Sequence, residues 1–230
     1  MTEKGVLYIV STPIGNLEDI TFRAVRILED SSLIAAEDTR RTKILLSHYK
    51  ISTPTISYYE HNRYARIPKL INHLNTGNDI ALVTDAGTPG ISDPAYRLIR
   101  AAIDENCRVE SIPGASALLT ALVSSGLPTD RFIFEGFLPH KKGRKKKLDK
   151  IKNIDATIIF YESPNRIERT LKDILAYIGD RPVAIGRELS KKYEEIIRGK
   201  VSNILSHFST KKPKGEFVIV LGKDDPNVYF

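Results

Sequence analysis

The sequence predicts an α/β fold in which parallel strands are joined by crossover helices. Short apolar runs alternate with segments of helical spacing along most of the 230 residues, an order typical of a parallel sheet with helices between its strands. The stretch TDAGTPGISDP, Thr84 to Pro94, places two glycines, two prolines and two aspartates between a predicted strand and a predicted helix. Such a connection needs only about 2–6 residues. The extra length therefore indicates a loop that holds a ligand.

The first half of the chain contains five predicted strands, each followed by a predicted helix. The strands are GVLYIV, SLIAA, TISYY, IALV and RVESI. The first helix is TFRAVRILED, with an apolar stripe formed by Phe22, Val25, Ile27 and Leu28. The other helices are RTKILLSHY, RIPKLINHL, YRLIRAAI and ASALLTALVSS. Pro68 is expected in the first turn of its helix, because a proline further inside removes a backbone hydrogen bond.

The segment SSGLPTD, Ser124 to Asp130, interrupts this alternation and predicts a domain junction. We therefore expect an N-terminal α/β domain over residues 1–124 and a C-terminal α/β domain over residues 125–230. The predicted strands beyond the junction are RFIFEGF, TIIFYE, PVAIGRE and GEFVIVLG. The predicted helices are RIERTLKDILAYI and VSNILSHF.

Composition narrows the class of partner and the cellular compartment. A net charge of +7 favours a polyanionic partner such as nucleic acid, and a merely lysine-rich surface is the alternative. The one cysteine, Cys107, and five scattered histidines predict neither an internal disulfide nor a metal site. The apolar run Val6 to Val10 is too short for a signal peptide, and no run approaches membrane-spanning length. We expect a cytoplasmic protein without a membrane anchor.

Candidate ligand-binding segments follow nearly every predicted strand, and ligands of open parallel sheets bind beyond the carboxyl ends of the strands. The sequence has neither GxGxxG after its first strand nor GxxxxGK[ST], so the common nucleotide fingerprints are absent. Asp85, directly after its strand, is expected to contact a ligand. Asp93 is expected to cap the helix that follows it, since proline is common just after such a cap.

Seven segments in order carry a specific resemblance that extends from Leu7 to about Gly222. They are STPIGNL, AAEDTRRT, VTDAGTPGISDP, SIPGASA, GFLPHK, FYESPNRI and RELSKKYEE. This set resembles the small-subunit ribosomal RNA cytidine-2′-O-methyltransferases, which belong to the tetrapyrrole-methylase-like class of S-adenosylmethionine enzymes. The resemblance implies two α/β domains of the tetrapyrrole methylase type with a cofactor cleft between them, and a homodimer. The implied substrate is a cytidine ribose of 16S ribosomal RNA, within the assembled small ribosomal subunit.

The same resemblance implies S-adenosylmethionine as the cofactor and assigns residues to its site. They are Pro13, Ile14, Asp85, Ala86, Gly87, Ile91, Ser116, Ala117, Tyr161, Leu189 and Gly215. The sequence departs mildly from the family pattern at Asn165, where many relatives have histidine, and at Ser190, where threonine is usual.

The EDTRR segment supplies the candidate catalytic residues. Methyl transfer from a sulfonium depends mainly on alignment of the nucleophile, and a ribose hydroxyl also benefits from a base. Glu37 and Asp38 are the candidate bases, and Arg40 is expected to clamp a phosphate or orient a carboxylate. The alternative is that Asp38 or Thr39 only caps the following helix.

The run HKKGRKKKLDKIK, His140 to Lys152, is the most basic segment of the chain. The alternative is an exposed helix face with a flexible lead-in, but so high a charge density exceeds what solubility requires, and we expect the cations to contact RNA phosphates. The candidate RNA-binding residues are Lys141, Lys142, Arg144, Lys145, Lys146 and Lys147. Phe137 nearby could stack on a base, but a core position is favoured for it. Two other functions remain open: a methyltransferase of small tetrapyrrole-type molecules and a non-catalytic RNA-binding module.

Overall fold

The computed structural model describes residues 3–210 and 213–230. The chain forms two compact units, of which the first ends at Ser116 and the second begins at Ala117. The helix Ala117–Ser125 packs against strands of the second sheet. The division therefore falls before this helix, whereas the sequence placed the domain boundary at its end, after residue 124.

The first unit contains a five-stranded parallel sheet, as the alternation of the sequence predicts. Its strands are β1 Val6–Val10, β2 Leu33–Ala36, β3 Thr55–Ser57, β4 Ile80–Val83 and β5 Arg108–Ile112. Their order is β3-β2-β4-β1-β5, and every pair is parallel. The helices are α1 Phe22–Asp30, α2 Thr39–His48, α3 Arg63–Asn75 and α4 Ala95–Asp104. The carboxyl ends of all five strands therefore lie along one edge.

Both faces of this sheet are covered by helices, which explains why β4 is apolar throughout. Leu82 of β4 packs in one cluster with Leu70 of α3 and Leu98 of α4. The next residue, Val83, packs in the other cluster with Leu28 of α1. Successive side chains of a strand point to opposite faces, so IALV contributes to two cores at once.

The expectation for Pro68 is wrong. Helix α3 begins at Arg63, so Pro68 lies in its second turn. Asn62 stabilises the chain just before the helix, since its Oδ1 accepts a hydrogen bond from the backbone amide of Tyr59 at 2.9 Å. Pro68 is exposed, so water can reach the helix carbonyl that lacks an amide partner.

The second unit contains a mixed sheet. Its strands are β6 Phe132–Phe137, β7 Thr157–Glu162, β8 Pro182–Arg187, β9 Glu195–Lys200 and β10 Phe217–Leu221, in the order β6-β7-β10-β8-β9. Its helices are α5 Ala117–Ser125, α6 Arg144–Ile151, α7 Ile167–Tyr177 and α8 Val201–Thr210. The sequence did not predict β9, an edge strand. The charged residues Glu195 and Lys200 at its ends flank an apolar centre that is too short to indicate a strand.

The strand directions bring several chain segments to one edge of the second sheet. Strand β6 is parallel to β7, whereas β7 and β8 are both antiparallel to β10. Consequently β6, β7 and β8 end at the edge where β10 begins. At this edge Phe217, the first residue of β10, lies opposite both Glu162 and Arg187.

Candidate functional site

The loops after β1, β4 and β5 are bonded to one another at the carboxyl edge of the first sheet. Thr12 and Gly87 exchange two backbone hydrogen bonds of 2.9 and 3.0 Å. Thr88 links the other two loops, because its Oγ1 lies 2.9 Å from Ser11 Oγ and 3.3 Å from the carbonyl oxygen of Ala115. The long loop that begins at Thr84 is therefore part of a continuous surface built from three strand exits.

Gly87 has a conformation that this loop requires. Its φ of 82° lies in the left-handed region, which glycine adopts without steric cost. A Cβ at this position would lie 3.5 Å from Ile14 Cγ2, so backbone conformation rather than space favours glycine. The turn at Gly87 brings the loop back to Thr12 and packs it against Ile14.

Asp93 fixes the second half of the long loop, in the structural role that the sequence predicts. Its carboxylate accepts hydrogen bonds from the backbone amides of Gly90, at 2.8 and 2.9 Å, and Ala95, at 2.9 Å. Ala95 is the first residue of α4, so Asp93 satisfies an amide at the helix start. Burial raises the pKa of Asp93, and the backbone hydrogen bonds oppose this shift.

Asp85 lies between the exits of β4 and β2. Its Oδ1 accepts a hydrogen bond from the backbone amide of Asp38 at 3.0 Å, and its Oδ2 lies 3.3 Å from Arg41 Nη1. Partial burial, followed by repulsion from Glu37, raises the pKa of this carboxyl. Asp85 is thus held in place although its environment disfavours its charge, a combination found at many functional sites.

Glu37 is the second carboxylate at this edge. Its Oε2 accepts hydrogen bonds from Thr84 Oγ1 at 2.5 Å and from the backbone amide of Asp85 at 3.3 Å. The arrangement follows from topology, because β2 and β4 are neighbours and Glu37 and Thr84 each follow the last residue of their strand. The prediction that the EDTRR segment and the long loop lie at the same edge of the sheet is confirmed.

Asp38 caps helix α2. Its side chain accepts from the backbone amide of Arg40 at 2.9 Å and holds the Arg40 guanidinium through two further bonds of 3.0 and 2.7 Å. These hydrogen bonds to Arg40 lower the pKa of Asp38 to about 2. A carboxylate with so low a pKa is a weak base, so the geometry disfavours Asp38 as the catalytic base. Arg40 orients this carboxylate, one of its two predicted roles.

A recess of about 140 Å³ opens beside these residues. Its lining comprises Thr12, Pro13, Leu17, Arg41, Thr42, Ile44, Leu45, Thr84 and Asp85. Of these, the sequence named only Pro13 and Asp85 as cofactor contacts. Ile44 and Leu45 were missed because their spacing on α2 resembles that of core residues. Pockets for whole organic ligands measure roughly 300–1,000 Å³, so the recess can hold only part of such a ligand.

The other predicted cofactor residues of the first unit lie on the same interlocked loops. Ile14 is nearly buried, whereas Ile91 is 40% exposed. Ala86 is exposed beside the buried Gly87. Ser116 is the last residue of the unit and follows the loop after β5.

Three of the predicted cofactor residues of the second unit lie at the edge where β10 begins. Tyr161 is the second-to-last residue of β7, and burial raises the pKa of its hydroxyl. Leu189 is buried against Gly186. Gly215 lies beside Glu188, whose Oε1 accepts from the amide of Glu216 at 2.9 Å. Ala117, the fourth, begins helix α5.

The structure corrects one predicted RNA contact. Arg144 is only 4% exposed, because its guanidinium points into the second unit. It donates to Asp173 Oδ2 at 2.6 Å, to Thr170 Oγ1 at 2.8 Å and to the carbonyl oxygen of Pro139 at 3.2 Å. Arg144 therefore anchors helix α6 and is not available to RNA.

The remaining cations of the basic run differ in accessibility. Lys147 forms an ion pair with Glu135 of β6. Of the predicted RNA contacts, Lys141, Lys142, Lys145 and Lys146 are exposed, and so are Lys150 and Lys152 further along the run. Lys145 lies 5.5 Å from the centre of the Tyr177 ring. The exposed face of this segment thus keeps a dense positive charge after Arg144 and Lys147 are paired.

Within residues 3–210 and 213–230, no cluster of three or more His, Cys, Asp and Glu side chains is arranged to hold a metal ion. No helix there combines the length and apolar content needed to cross a membrane.

The fold and the loops at the sheet edges define the class of protein. Residues 6–205 match the family model Tetrapyrrole (Corrin/Porphyrin) Methylases. The structure is similar to a uroporphyrin-III C-methyltransferase from Thermus thermophilus, solved with S-adenosylhomocysteine, with a TM-score of 0.68 and 18% identity over 95% of this chain and 97% of that one. The chain belongs to the tetrapyrrole methylase family, and the predicted fold class is confirmed.

Two curated relatives, both named Ribosomal RNA small subunit methyltransferase I, narrow the class. The relative from Halalkalibacterium halodurans is 52% identical over 95% of this chain and 76% of its own length. The relative from Thermotoga maritima is 50% identical over 96% of this chain and 100% of its own length. The resemblance seen in the motifs is confirmed, and the chain is a methyltransferase.

Proposed function

We propose that this methyltransferase transfers a methyl group from S-adenosylmethionine to the ribose 2′ hydroxyl of a cytidine in 16S ribosomal RNA. The observation that carries the proposal is the match, at 52% identity over 95% of the chain, to a relative named for small-subunit ribosomal RNA. The two carboxylates and the interlocked loops at one sheet edge supply a site for such chemistry.

The cofactor supplies an activated methyl group on a sulfonium. We assign its contacts in the first unit to the loops that Thr12 and Gly87 join, and in the second unit to the edge where β10 begins. The assigned residues are Pro13, Ile14, Asp85, Ala86, Gly87, Ile91, Ser116, Ala117, Tyr161, Leu189 and Gly215. Two features of the first unit support the assignment of these loops to the cofactor. They are the recess beside Asp85 and the Gly87 backbone, which has no side chain of its own to cover it.

We assign the role of general base to Glu37 alone. In the transfer, the ribose oxygen would form its bond to the methyl carbon as the bond from that carbon to the sulfonium sulfur breaks. S-adenosylhomocysteine would leave, and Glu37 would accept the hydroxyl proton. Thr84 Oγ1 and the Asp85 amide hold Glu37 Oε2 at 2.5 and 3.3 Å, which fixes the carboxylate before the substrate arrives. Positioning of this kind supplies most of the acceleration of a transfer reaction, and the base adds to it.

The exposed lysines of the basic run are the proposed phosphate contacts. Lys141, Lys142, Lys145 and Lys146 lie on one short segment of the second unit. Their density exceeds that of a surface that only keeps a protein dissolved, and phosphate contacts of this kind supply most non-specific RNA affinity. We further propose that the substrate is the assembled small ribosomal subunit and that the enzyme acts in the cytoplasm as a homodimer.

The proposal is tested by methyl transfer from radiolabelled S-adenosylmethionine to small ribosomal subunits, and to protein-free 16S ribosomal RNA, from a bacterial strain that lacks the modification. We expect label in the subunits, and mass spectrometry of nuclease fragments should place it on a cytidine ribose. Subunits from a strain that carries the modification are the control and should remain unlabelled.

Three results would contradict the proposal. A methyl group on a base atom would exclude ribose chemistry, and labelling of a tetrapyrrole alone would identify a small-molecule enzyme. RNA binding without methyl transfer to either substrate would identify a binding module. Preference for protein-free RNA would overturn only the assignment of the assembled subunit.

A further inference from the structure

Phe137 presents an open aromatic ring that the proposed chemistry does not use. The sequence favoured a core position for this residue. In the structure Phe137 is 52% exposed, so that expectation is wrong. It ends β6 at the edge of the second sheet where β10 begins.

A β-bulge determines where this ring points. Phe134 of β6 lies opposite Ile159 of β7, but Phe137 lies opposite Tyr161. Three steps along β6 therefore match two steps along β7, so β6 carries one extra residue. Gly136 within the bulge has a φ of 60°, a left-handed conformation that suits glycine.

The bulge places two phenylalanines on the same ring. Side chains three residues apart on a regular strand point to opposite faces. Here both Phe134 and Phe137 make edge-to-face contacts with Tyr161, with ring centroids 4.8 and 5.8 Å apart. The extra residue thus brings Phe137 against Tyr161, which supports the Phe137 ring while about half of the residue stays exposed to solvent.

The loop that follows Phe137 is fixed by two arginines. Arg144 donates to the carbonyl oxygen of Pro139 at 3.2 Å, and Arg166 donates to that of Leu138. Arg144 is held in turn by a buried chain of hydrogen bonds, because Thr170 Oγ1 accepts from it at 2.8 Å and donates to Glu162 Oε2 at 2.6 Å. The loop therefore keeps one conformation beside the ring.

This loop also carries positive charge. Lys141 and Lys142 are exposed on it, and the Arg166 guanidinium lies 3.3 Å from the ring nitrogen of His140. A supported aromatic ring followed by exposed lysines matches the chemistry of single-stranded RNA, whose bases stack and whose phosphates attract lysine.

We propose that Phe137 stacks on a nucleobase of the RNA substrate while Lys141 and Lys142 contact the neighbouring phosphates. The inference rests on the proposed function and names a recognition residue for the same RNA. Stacking tolerates any base. Phe137 accordingly positions a nucleotide and leaves the choice of base to other contacts.

The test compares Phe137→Leu, which removes the ring but keeps an apolar side chain, with Phe137→Tyr, which keeps the ring. Phe132→Leu is the matched control, since Phe132 begins the same strand and is 38% exposed. Single-turnover methylation is measured at increasing concentrations of unmodified small ribosomal subunits. Affinity for S-adenosylhomocysteine is measured by calorimetry.

We expect Phe137→Leu to raise the half-saturating subunit concentration by about 5- to 150-fold, as for the loss of a base–aromatic stack. Phe137→Tyr and Phe132→Leu should behave as wild type, and all variants should bind S-adenosylhomocysteine equally. Normal half-saturation in Phe137→Leu would overturn the inference and leave the proposed function intact. A matching loss of S-adenosylhomocysteine affinity would also overturn it, because the ring would then belong to the cofactor site. If wild type labels no subunits, the proposed function itself fails.

Discussion

At the scale of single residues, two adjacent carboxylates have different tasks. Asp38 accepts a hydrogen bond from the backbone amide of Arg40 in the first turn of α2 and pairs with the Arg40 side chain, and these contacts lower the pKa of Asp38 to about 2. Glu37 instead points to Thr84 and the Asp85 amide at the neighbouring strand exit. Glu37 directly follows β2 and is the candidate base, whereas Asp38 directly precedes α2 and is its cap. Two adjacent residues therefore have different roles because they belong to different elements.

This separation predicts different effects of two amide substitutions. Glu37→Gln should lower single-turnover methylation about 10²- to 10⁴-fold, the usual effect of removing a positioned base, with unchanged affinity for S-adenosylhomocysteine. Asp38→Asn is the matched control: it removes the same charge, keeps an acceptor for the Arg40 amide, and should change the rate far less. Equal rates in the wild type and Glu37→Gln would show that alignment alone drives the reaction.

At the scale of elements, α6 has an unusual buried face. Arg144 is 4% exposed and lies on that face with Leu148 and Ile151. Its partners Thr170 and Asp173 are on α7, so the two helices are joined by a charged group as well as by apolar packing. Burial of a guanidinium costs free energy unless its donors are hydrogen-bonded, and Arg144 has a partner at Nε, Nη1 and Nη2.

Removal of Arg144 should therefore destabilise the protein more than removal of its lysine neighbours. We expect Arg144→Met to lower the free energy of unfolding by about 3 kcal/mol, because it leaves a paired carboxylate and buried polar atoms without their partner. Lys146→Met, on the exposed side of the same helix, should change it by less than about 0.5 kcal/mol. Denaturant unfolding followed by circular dichroism measures both. Similar values for the two variants would contradict the anchoring role of Arg144.

At the scale of the whole molecule, charge is concentrated on one segment. The net charge is +7, and four exposed lysines lie between residues 141 and 146. Lys147 and Arg144 of the same run are paired with acidic side chains. The free cations are thus fewer than the composition of the run indicates, but they lie close together.

The exposed cations should determine the salt dependence of RNA binding. Replacing Lys141, Lys142 and Lys146 with glutamine should weaken binding to 16S ribosomal RNA and lower the slope of log affinity against log salt by roughly 0.7–0.9 per lost phosphate contact. A triple variant of exposed lysines in the first unit, at Lys4, Lys50 and Lys69, removes the same charge and should leave the slope nearly unchanged. Equal slopes for both variants would mean that net charge alone attracts RNA.

Hydrophobic patterns predicted most of the strands and helices, though not β9, together with the edge of the first sheet that carries the candidate site. Hydrophobic periodicity is local, so the strands of the first unit and the capping carboxylate Asp93 could be inferred from neighbouring residues. A parallel sheet also requires Glu37 and Asp85 to follow strands that end at one edge, whereas the pairing of β2 with β4, which makes the two carboxylates neighbours, comes from the structure.

Features that depend on distant partners could not be predicted from the sequence. The guanidinium of Arg144 is buried because Thr170 and Asp173 reach it from another helix, and nothing within its own lysine-rich run indicates this. Phe137 is exposed because the register between β6 and β7 shifts at Gly136, and strand register is a property of two segments rather than one. Local patterns specify which residues can form a helix or strand, whereas burial and direction are set by the segments that pack against them.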